Sequence, residues 1–286
     1  MAIQIRRLSH ALGAEIIGVD LREPLSDTTF NKINEIFLEH GIILFRGQVI
    51  TRDQHIAFSR YFGELDNNDA QPRDRDPEYH EIALVTNKPK PNGKPSDSRY
   101  TGRVWHSDRS YTTVPAAASL LRGLEIPDVG GETMFTNMYM AYNTLSETMK
   151  KVISDLSGVH GGATRKIDDL TPERAAEMQR LNPFVAQPLV RVHPETGRKA
   201  LYVGDKVKKI VGMTEEESEP ILKYLCRHAT RYEFLYRHQW RQNDLLVWDN
   251  RCTMHIALGD FDETQRRHME RTTVMGTPSG YVWEAD

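Results

Sequence analysis

Trp105-His106-Ser107-Asp108 and, far downstream, His255 with Arg267 twelve residues beyond it set the strongest demand this chain makes on its own fold. If these groups act together, segments far apart in sequence must converge on one cation. Two imidazoles and one carboxylate are the protein ligands of a facial triad, which leaves the other positions of an octahedral Fe(II) open to a co-substrate and dioxygen. The arginine after the second histidine adds an anchor for a carboxylate. The pattern implies iron chemistry completed by an anionic keto acid.

With 286 residues, 39% hydrophobic and 27% charged, the chain can bury the core of one large domain, taken here as 1–286. A formal charge of -3 and an isoelectric point near 6.4 supply no basic face for a phosphate backbone, so nucleic acid is not an expected partner. No apolar run approaches the roughly 20 residues of a membrane span, and Met1 to Arg7 lacks the apolar core of a signal peptide. We therefore expect a cytoplasmic protein without a membrane partner, with a homo-oligomer left open. Cys226 and Cys252 are too few for a disulfide framework and suit a reducing compartment.

Apolar residues alternate from Ile3 to Asp20 around Gly13 and Gly18, which predicts two short strands joined by a turn. Ser26 offers an N-cap, Phe30, Ile33 and Phe37 recur at helical spacing, and Gly41 supplies the stop. Ile42 to Phe45 reads as a buried strand, and Thr51 with Gln54 opens a second helix running to Gly63. From Asp66 to Arg103, Pro72, Pro77, Pro89, Pro91 and Pro95 stand among charges, broken by strand-like Ile82 to Thr86. A polar connection of that length, running straight into His106, is expected to be an active-site lid.

Further on, strands are expected at Ala116 to Ile126 and Glu132 to Met138 around a Gly130-Gly131 turn, with helices at Tyr139 to Leu156 and Thr171 to Leu181. A hairpin follows from Pro188 to Val203, and Thr214 with Glu217 forms a capping box that places Pro220 in the first turn or at a kink. Tyr232 to Trp240, Asp244 to Trp248, Thr253 to Leu258 and Arg267 to Met275 read as strands. Many short strands with flanking helices predict a mainly β fold, a double-stranded β-helix (jelly roll, cupin-like), over a parallel βαβ sheet.

Side chains alternate along a strand, so His106 and Asp108 can meet one metal while Ser107 points outward. An H-x-acid triplet also arises readily by chance. His193-x-Glu195 sits in a Pro/Gly turn, and His268-x-Glu270 shares its strand with two arginines. Alone, His106-x-Asp108 reads equally well as a satisfied surface pair. On the last long strand Arg267, Met269, Arg271 and Thr273 share one face, while Arg266, His268, Glu270 and Thr272 share the other. If the first face lines a barrel, two guanidiniums point inward and need anions, which bound ligands would supply. The alternative is that one of them pairs with an internal Asp or Glu. His255 on its own reads as a core histidine, and the arginines that follow favour a ligand.

Trp105 to Asp108, Gly130-Gly131-Glu132-Thr133, Asn243-Asp244 through Trp248-Asp249-Asn250-Arg251, His255 and Gln265 to Arg271 together resemble the taurine dioxygenase and chlorophenoxyacetate dioxygenase (TauD/TfdA) family of Fe(II)/2-oxoglutarate oxygenases. The similarity covers nearly the whole chain, including Gly13-Ala14-Glu15-Ile16, Val19-Asp20-Leu21 and the helix before Phe62-Gly63. The resemblance implies that His106, Asp108 and His255 bind iron, that Thr133 and Arg267 hold the distal carboxylate of 2-oxoglutarate, and that Arg271 faces the acidic group of the primary substrate. It also implies a reaction with dioxygen in which 2-oxoglutarate becomes succinate and carbon dioxide while a C–H bond of a small organic acid is hydroxylated. A carbon bearing an ether oxygen or sulfonate would then collapse, and the substrate would be cleaved. Tyr111, Trp105 and the lid would form the walls.

In taurine enzymes a His and a Tyr after the Phe-Gly-Glu-Leu motif, with an Asn shortly before the metal motif, contact the substrate. The matching positions here carry Asn68, Gln71 and Gly102. This departure leads us to expect an aryloxyalkanoate-like carboxylate, with a sulfonate second. Arg109 is expected to face away from the metal as a structural or lid contact, and Asn67, Asn68 and Arg73 to reach the substrate if the lid folds inward. Two other classes use the same ligands. A zinc hydrolase would need a general base at the metal and gives Arg267 no role, and a cupin-like binding module without turnover is at odds with three intact ligands.

Overall fold

The computed structural model describes residues 3–67, 75–90, 92–161 and 183–284. Strands β1 (Gln4–Arg7) and β2 (Ala14–Ile17) lead into α1 (Asp27–His40), β3 (Ile42–Phe45) and α2 (Arg52–Arg60). β4 (Ala83–Thr86), β5 (Ala116–Glu125) and β6 (Thr133–Asn137) precede α3 (Met138–Asn143) and α4 (Glu147–Ile153). Next come β7 (Ser157–His160), β8 (Val185–Pro188), β9 (Val190–Val192), β10 (Lys199–Leu201), β11 (Val207–Ile210) and α5 (Glu215–Ala229). The last elements are β12 (Leu235–His238), β13 (Leu245–Asp249), β14 (Thr253–Ala257), β15 (His268–Met275) and β16 (Tyr281–Val282).

The expected jelly roll is present. A seven-stranded sheet in the order β1-β2-β3-β13-β5-β15-β4 lies over a three-stranded sheet, β12-β6-β14. Local chemistry accounts for the flanking helices. The Ser26 hydroxyl accepts from the Thr29 N–H, and Gly41 closes α1 in the left-handed region at φ 67. Thr51 with Gln54 and Thr214 with Glu217 form complete capping boxes.

The uninterrupted apolar run of β3 is explained by burial on both faces. Ile42 and Leu44 join Leu121, Phe135, Leu246, Trp248 and Met269 between the two sheets. Ile43 and Phe45 turn the other way, onto Phe37 of α1 and Phe58 of α2. Each such side chain contributes about 1.5–3 kcal/mol of transfer free energy.

Several elements differ from expectation for local reasons. The helix expected from Tyr139 to Leu156 is two helices, because Asn137 caps the first and Ser146 caps a second. Residues Tyr232–Phe234 form a 3-10 turn, so β12 is short. Pro220 lies inside α5, beyond its first turn, and the helix continues past it. The stretch expected to be a lid contains β4, which pairs with β15 at the sheet edge, and a 3-10 turn at Asp97–Tyr100. The helix expected at Thr171 to Leu181 lies outside the described residues. Among the described residues no helix is long and apolar enough to cross a membrane, and both cysteines are free.

The outer face of β15 carries a charge system of its own. Arg52 of α2 donates to Glu270 at 2.7 Å and pairs with Asp76 at 3.1 Å, while the Thr272 and Ser59 hydroxyls meet at 2.6 Å. His268-x-Glu270 is therefore part of a helix-to-sheet contact rather than a metal motif. Replacing Arg52 by Met takes from Glu270, only 2% exposed, its hydrogen-bonded counterion and leaves it the charge of Arg122 on β5, at a cost of about 1–3 kcal/mol. Urea unfolding of Arg52→Met should show that loss, and an unchanged midpoint would refute the assignment.

Candidate metal centre

His106 and His255 face each other through their own main chains. The His106 N–H donates to the His255 carbonyl at 3.0 Å, and the His255 N–H returns a bond of 2.8 Å. This isolated antiparallel bridge pairs His106 with the middle of β14 and brings the imidazole centroids to 4.2 Å. The backbone does not continue as a strand. Asp108 is turned back into the site, and Arg109 adopts the left-handed region at φ 56. Ser107, expected to point outward, is buried and donates to the Thr253 carbonyl at 2.8 Å. The convergence that strand alternation predicted is thus produced by a bridge and a turn.

The ligand atoms of His106, Asp108 and His255 lie within 4.8 Å of one another, and all three residues are buried. His106 Nδ1 lies 2.7 Å from the Val104 carbonyl, which assigns the proton to Nδ1 and leaves the Nε2 lone pair facing Asp108 Oδ1 at 3.7 Å. His255 Nε2 lies 3.8 Å from Asp108 Oδ2. Burial pushes His106 well below the usual imidazole range and His255 down to about 4, so both are neutral donors at neutral pH.

Asp108 is held ionised against its own burial. The Arg271 guanidinium and the Ser119 hydroxyl keep it well below the usual carboxylate range. Ser119 donates to Asp108 Oδ2 at 2.7 Å, and Asn250 Oδ1 accepts from the Asp108 N–H at 3.0 Å and from Trp248 Nε1 at 3.1 Å. Three mutually facing lone-pair donors repel one another unless a cation sits among them. Two imidazoles with one carboxylate suit Fe(II).

Arg267 enters the same interior from β15. It is 7% exposed, its Nε donates to the Gly131 carbonyl at 3.0 Å, and among the described residues no carboxylate pairs with it. Burial, reinforced by the Arg103 charge, pulls its pKa down to about 10. A Cβ on Gly131, which sits at φ +70, would stand 3.3 Å from Arg267 Cδ, so the close approach calls for glycine. Thr133 is buried nearby on β6, its hydroxyl oxygen accepting from Trp240 Nε1 at 3.0 Å. A small cavity lined by Thr86, Asn87, Ser98, Thr101 and Ala257 reaches Arg267 from outside.

The model of the taurine catabolism dioxygenase TauD, TfdA family matches residues 4–273. The chain belongs to this family. It is 32% identical to the alpha-ketoglutarate-dependent 2,4-dichlorophenoxyacetate dioxygenase of Cupriavidus pinatubonensis, with 96% of this chain and 98% of that protein covered. It is also 32% identical to an alkylsulfatase of Acinetobacter baylyi, covering 96% and 85%. The crystal structure of AAD-2 in complex with Mn(II) and N-oxalylglycine superimposes with a TM-score of 0.84 at 32% identity, over 100% of both chains.

In this TauD/TfdA dioxygenase the remaining site residues are distributed unevenly. Arg271 was expected to face a substrate anion, with pairing to an internal carboxylate as the alternative, and its Nη1 donates to Asp108 Oδ1 at 2.8 Å while its buried Nε has no hydrogen-bond partner among the described residues. Arg109 pairs with Asp66, whose own N–H donates to the Thr273 carbonyl of β15 at 2.9 Å. Tyr111 is buried, and the Gly102 carbonyl accepts from the Ala257 N–H at 2.8 Å beside His106. Asn68, Gln71 and Arg73 lie outside the described residues. His193, in the other chance triplet, meets Asp249 at 2.9 Å.

Sequence reasoning missed Ser119, Asn250 and Lys206. Asn250 was visible only as a turn residue, and nothing local marked the other two. Asn250→Ala removes the acceptor of two buried N–H groups, which costs about 1–3 kcal/mol of stability. Loss of such outer support should also weaken metal binding about 10- to 100-fold. Competition with a metal chelator would measure it, and wild-type metal retention would refute the role.

Proposed function

We propose that this chain is an Fe(II)- and 2-oxoglutarate-dependent dioxygenase that hydroxylates, and by collapse of the product cleaves, a small organic acid of aryloxyalkanoate type. The observation that carries the reading is a buried guanidinium, Arg267, with no counterion among the described residues, in the same interior as three facing metal donors. A zinc hydrolase on those ligands leaves that guanidinium without a role.

His106, Asp108 and His255 are the residues to hold iron. Iron bound there supplies the activation of dioxygen that couples decarboxylation of 2-oxoglutarate, to succinate and carbon dioxide, to oxidation of the substrate. Arg267 takes the distal carboxylate of the co-substrate in its fork. Thr133, whose oxygen already accepts from Trp240, has its own O–H free to donate to the same carboxylate. Arg271 restrains Asp108 and keeps a buried Nε without a hydrogen-bond partner among the described residues, and Tyr111 and Gly102 are the candidate walls for the substrate. The relative acting on 2,4-dichlorophenoxyacetate supports a carboxylate substrate, and the alkylsulfatase keeps a sulfate or sulfonate head as a second reading. Two free cysteines suit a reducing, cytoplasmic setting.

Anaerobic protein given Fe(II) and 2-oxoglutarate should develop a weak visible charge-transfer band that is absent when either is omitted. A colourless mixture that hydrolyses esters with zinc would overturn the proposal. Arg267→Ala should raise the 2-oxoglutarate requirement by on the order of 2 to 5 kcal/mol of binding free energy, because a desolvated carboxylate loses its bidentate partner. A titration of the band against 2-oxoglutarate reads that shift, and an unmoved midpoint would remove Arg267 from the site. Arg271→Ala should damage iron retention as well as substrate use, since Arg271 holds a ligand.

A further inference from the structure

Lys206 lies in the short connection between β10 and β11, remote in sequence from every residue carrying the chemistry. The structure fixes it at the metal nonetheless. The Asp205 N–H donates to the Trp105 carbonyl at 2.9 Å, and Asp205 Oδ2 accepts the Trp105 N–H at 2.8 Å. Gly204 packs so closely that a Cβ there would stand 2.8 Å from the Trp105 carbonyl oxygen. The Lys206 carbonyl accepts from the Gly161 N–H at 3.1 Å. Both sides of the connection are thereby fastened, one to the metal loop and one to the end of β7.

From that anchorage the ammonium reaches inward. Its Nζ lies 5.3 Å from the centre of the buried Tyr111 ring. It stands close enough to His106, His255 and His160 to disfavour protonation of each, and close enough to Asp108 to be stabilised by it. Burial pulls Lys206 itself down to about 8. Among the described residues it forms no ion pair. Asp108 does not serve as its counterion, because its oxygens already accept from Arg271 and Ser119 and belong to the metal. Behind it, His160 is 2% exposed with neither ring nitrogen bonded, and its ring lies 5.5 Å from that of the buried Tyr202.

Charge accounting sharpens the point. Iron, Arg267, Arg271 and Lys206 would together bring five positive charges against three negative ones from 2-oxoglutarate and Asp108, an excess of two. Arg271 is bonded to Asp108, and Arg267 is assigned the distal carboxylate. Lys206 is left as a cation beside the metal with an aromatic wall and no anion. We propose that Lys206 is the specificity-determining anchor for the anionic head of the primary substrate, and that this head carries no positive group nearby. The proposal rests on the dioxygenase reading above. It favours carboxylates, sulfates and simple sulfonates, and it disfavours an amino-sulfonate such as taurine, whose ammonium would meet Lys206 at short range.

The test uses anaerobic protein loaded with Fe(II) and 2-oxoglutarate, titrated with phenoxyacetate, hexyl sulfate, propanesulfonate, taurine and neutral phenoxyacetamide while the visible band is followed. The wild type should respond saturably to at least one of the first three and to neither taurine nor the amide. Lys206→Met should form the same band at the same 2-oxoglutarate concentration, which shows it folded and loaded, yet bind the responding anion at least tenfold more weakly. Lys206→Arg should recover most of the loss. Binding by Lys206→Met within twofold of wild type, a wild type deaf to all three anions, or one that prefers taurine or the amide would overturn the proposal. Absence of the band from wild-type protein would instead sink the dioxygenase reading. Calorimetric titration of phenoxyacetate into metal-free protein then decides the anion site, where Lys206→Met must again bind more weakly.

Discussion

Two main-chain hydrogen bonds between His106 and His255 are the constraint on which the rest of this centre depends. They make the distance between the imidazoles a property of backbone pairing rather than of side-chain rotamers, and so of sheet stability rather than chance. His255 is further held by ring contacts with Phe135 at 5.7 Å and Trp248 at 4.9 Å, both at the centre of the sandwich. The third ligand is harder to place. Asp108 faces the same point only because the chain turns sharply after it, with Arg109 in a region that disfavours side chains at a cost of order 1–3 kcal/mol. That turn persists because Asn250 holds the Asp108 amide and Asp66 holds the Arg109 guanidinium.

One strand carries two independent charge systems. On its outer face β15 sets Glu270 against Arg52 of helix α2, a carboxylate paired with a cation of the protein itself. On its inner face Arg267 and Arg271 look into the sandwich, and only Arg271 finds a carboxylate, the one that belongs to the metal. The interior therefore holds more cationic groups than anions to match them, while the centre adds a further demand for a dication. Such an interior is coherent only with anionic small molecules in it. This separates the dioxygenase reading from a binding module or a hydrolase more firmly than the three ligands do.

The parts that local chemistry determines were legible in the sequence: the Ser26, Thr51 and Thr214 caps, the doubly buried run at β3, and the alternation that placed Arg267 and Arg271 on one face. Where tertiary contacts decide, legibility ended. His106-x-Asp108 was read as a strand and is a bridge followed by a turn. Ser107 was assigned to solvent by alternation and is buried on Thr253. The strand expected at Ile82 to Thr86 is present as β4, but its partner is β15, remote in sequence, so its pairing was not legible. Asn250 and Lys206 reach the centre from segments about a hundred residues or more from the metal motif, and Ser119, on β5, meets Asp108 across a turn that no periodicity predicts.

The division between strands and loops also accounts for how one scaffold serves relatives with different substrates. The residues proposed to hold the metal and co-substrate are tied to sheet: His106 and His255 by their bridge, Thr133 by β6, and Arg267 and Arg271 by their positions at and on β15. Changing any of them disturbs a ladder or a buried charge. The candidates that would contact the primary substrate come from connections: Lys206 between β10 and β11, Tyr111 in the turn after the metal motif, Gly102 in the segment before it. Substitution there alters charge and shape while the hydrogen-bonded frame stays closed. A lysine in that position selects for an anion without touching the iron, so within this family the identity of the acid should follow the loops while the reaction follows the sheets.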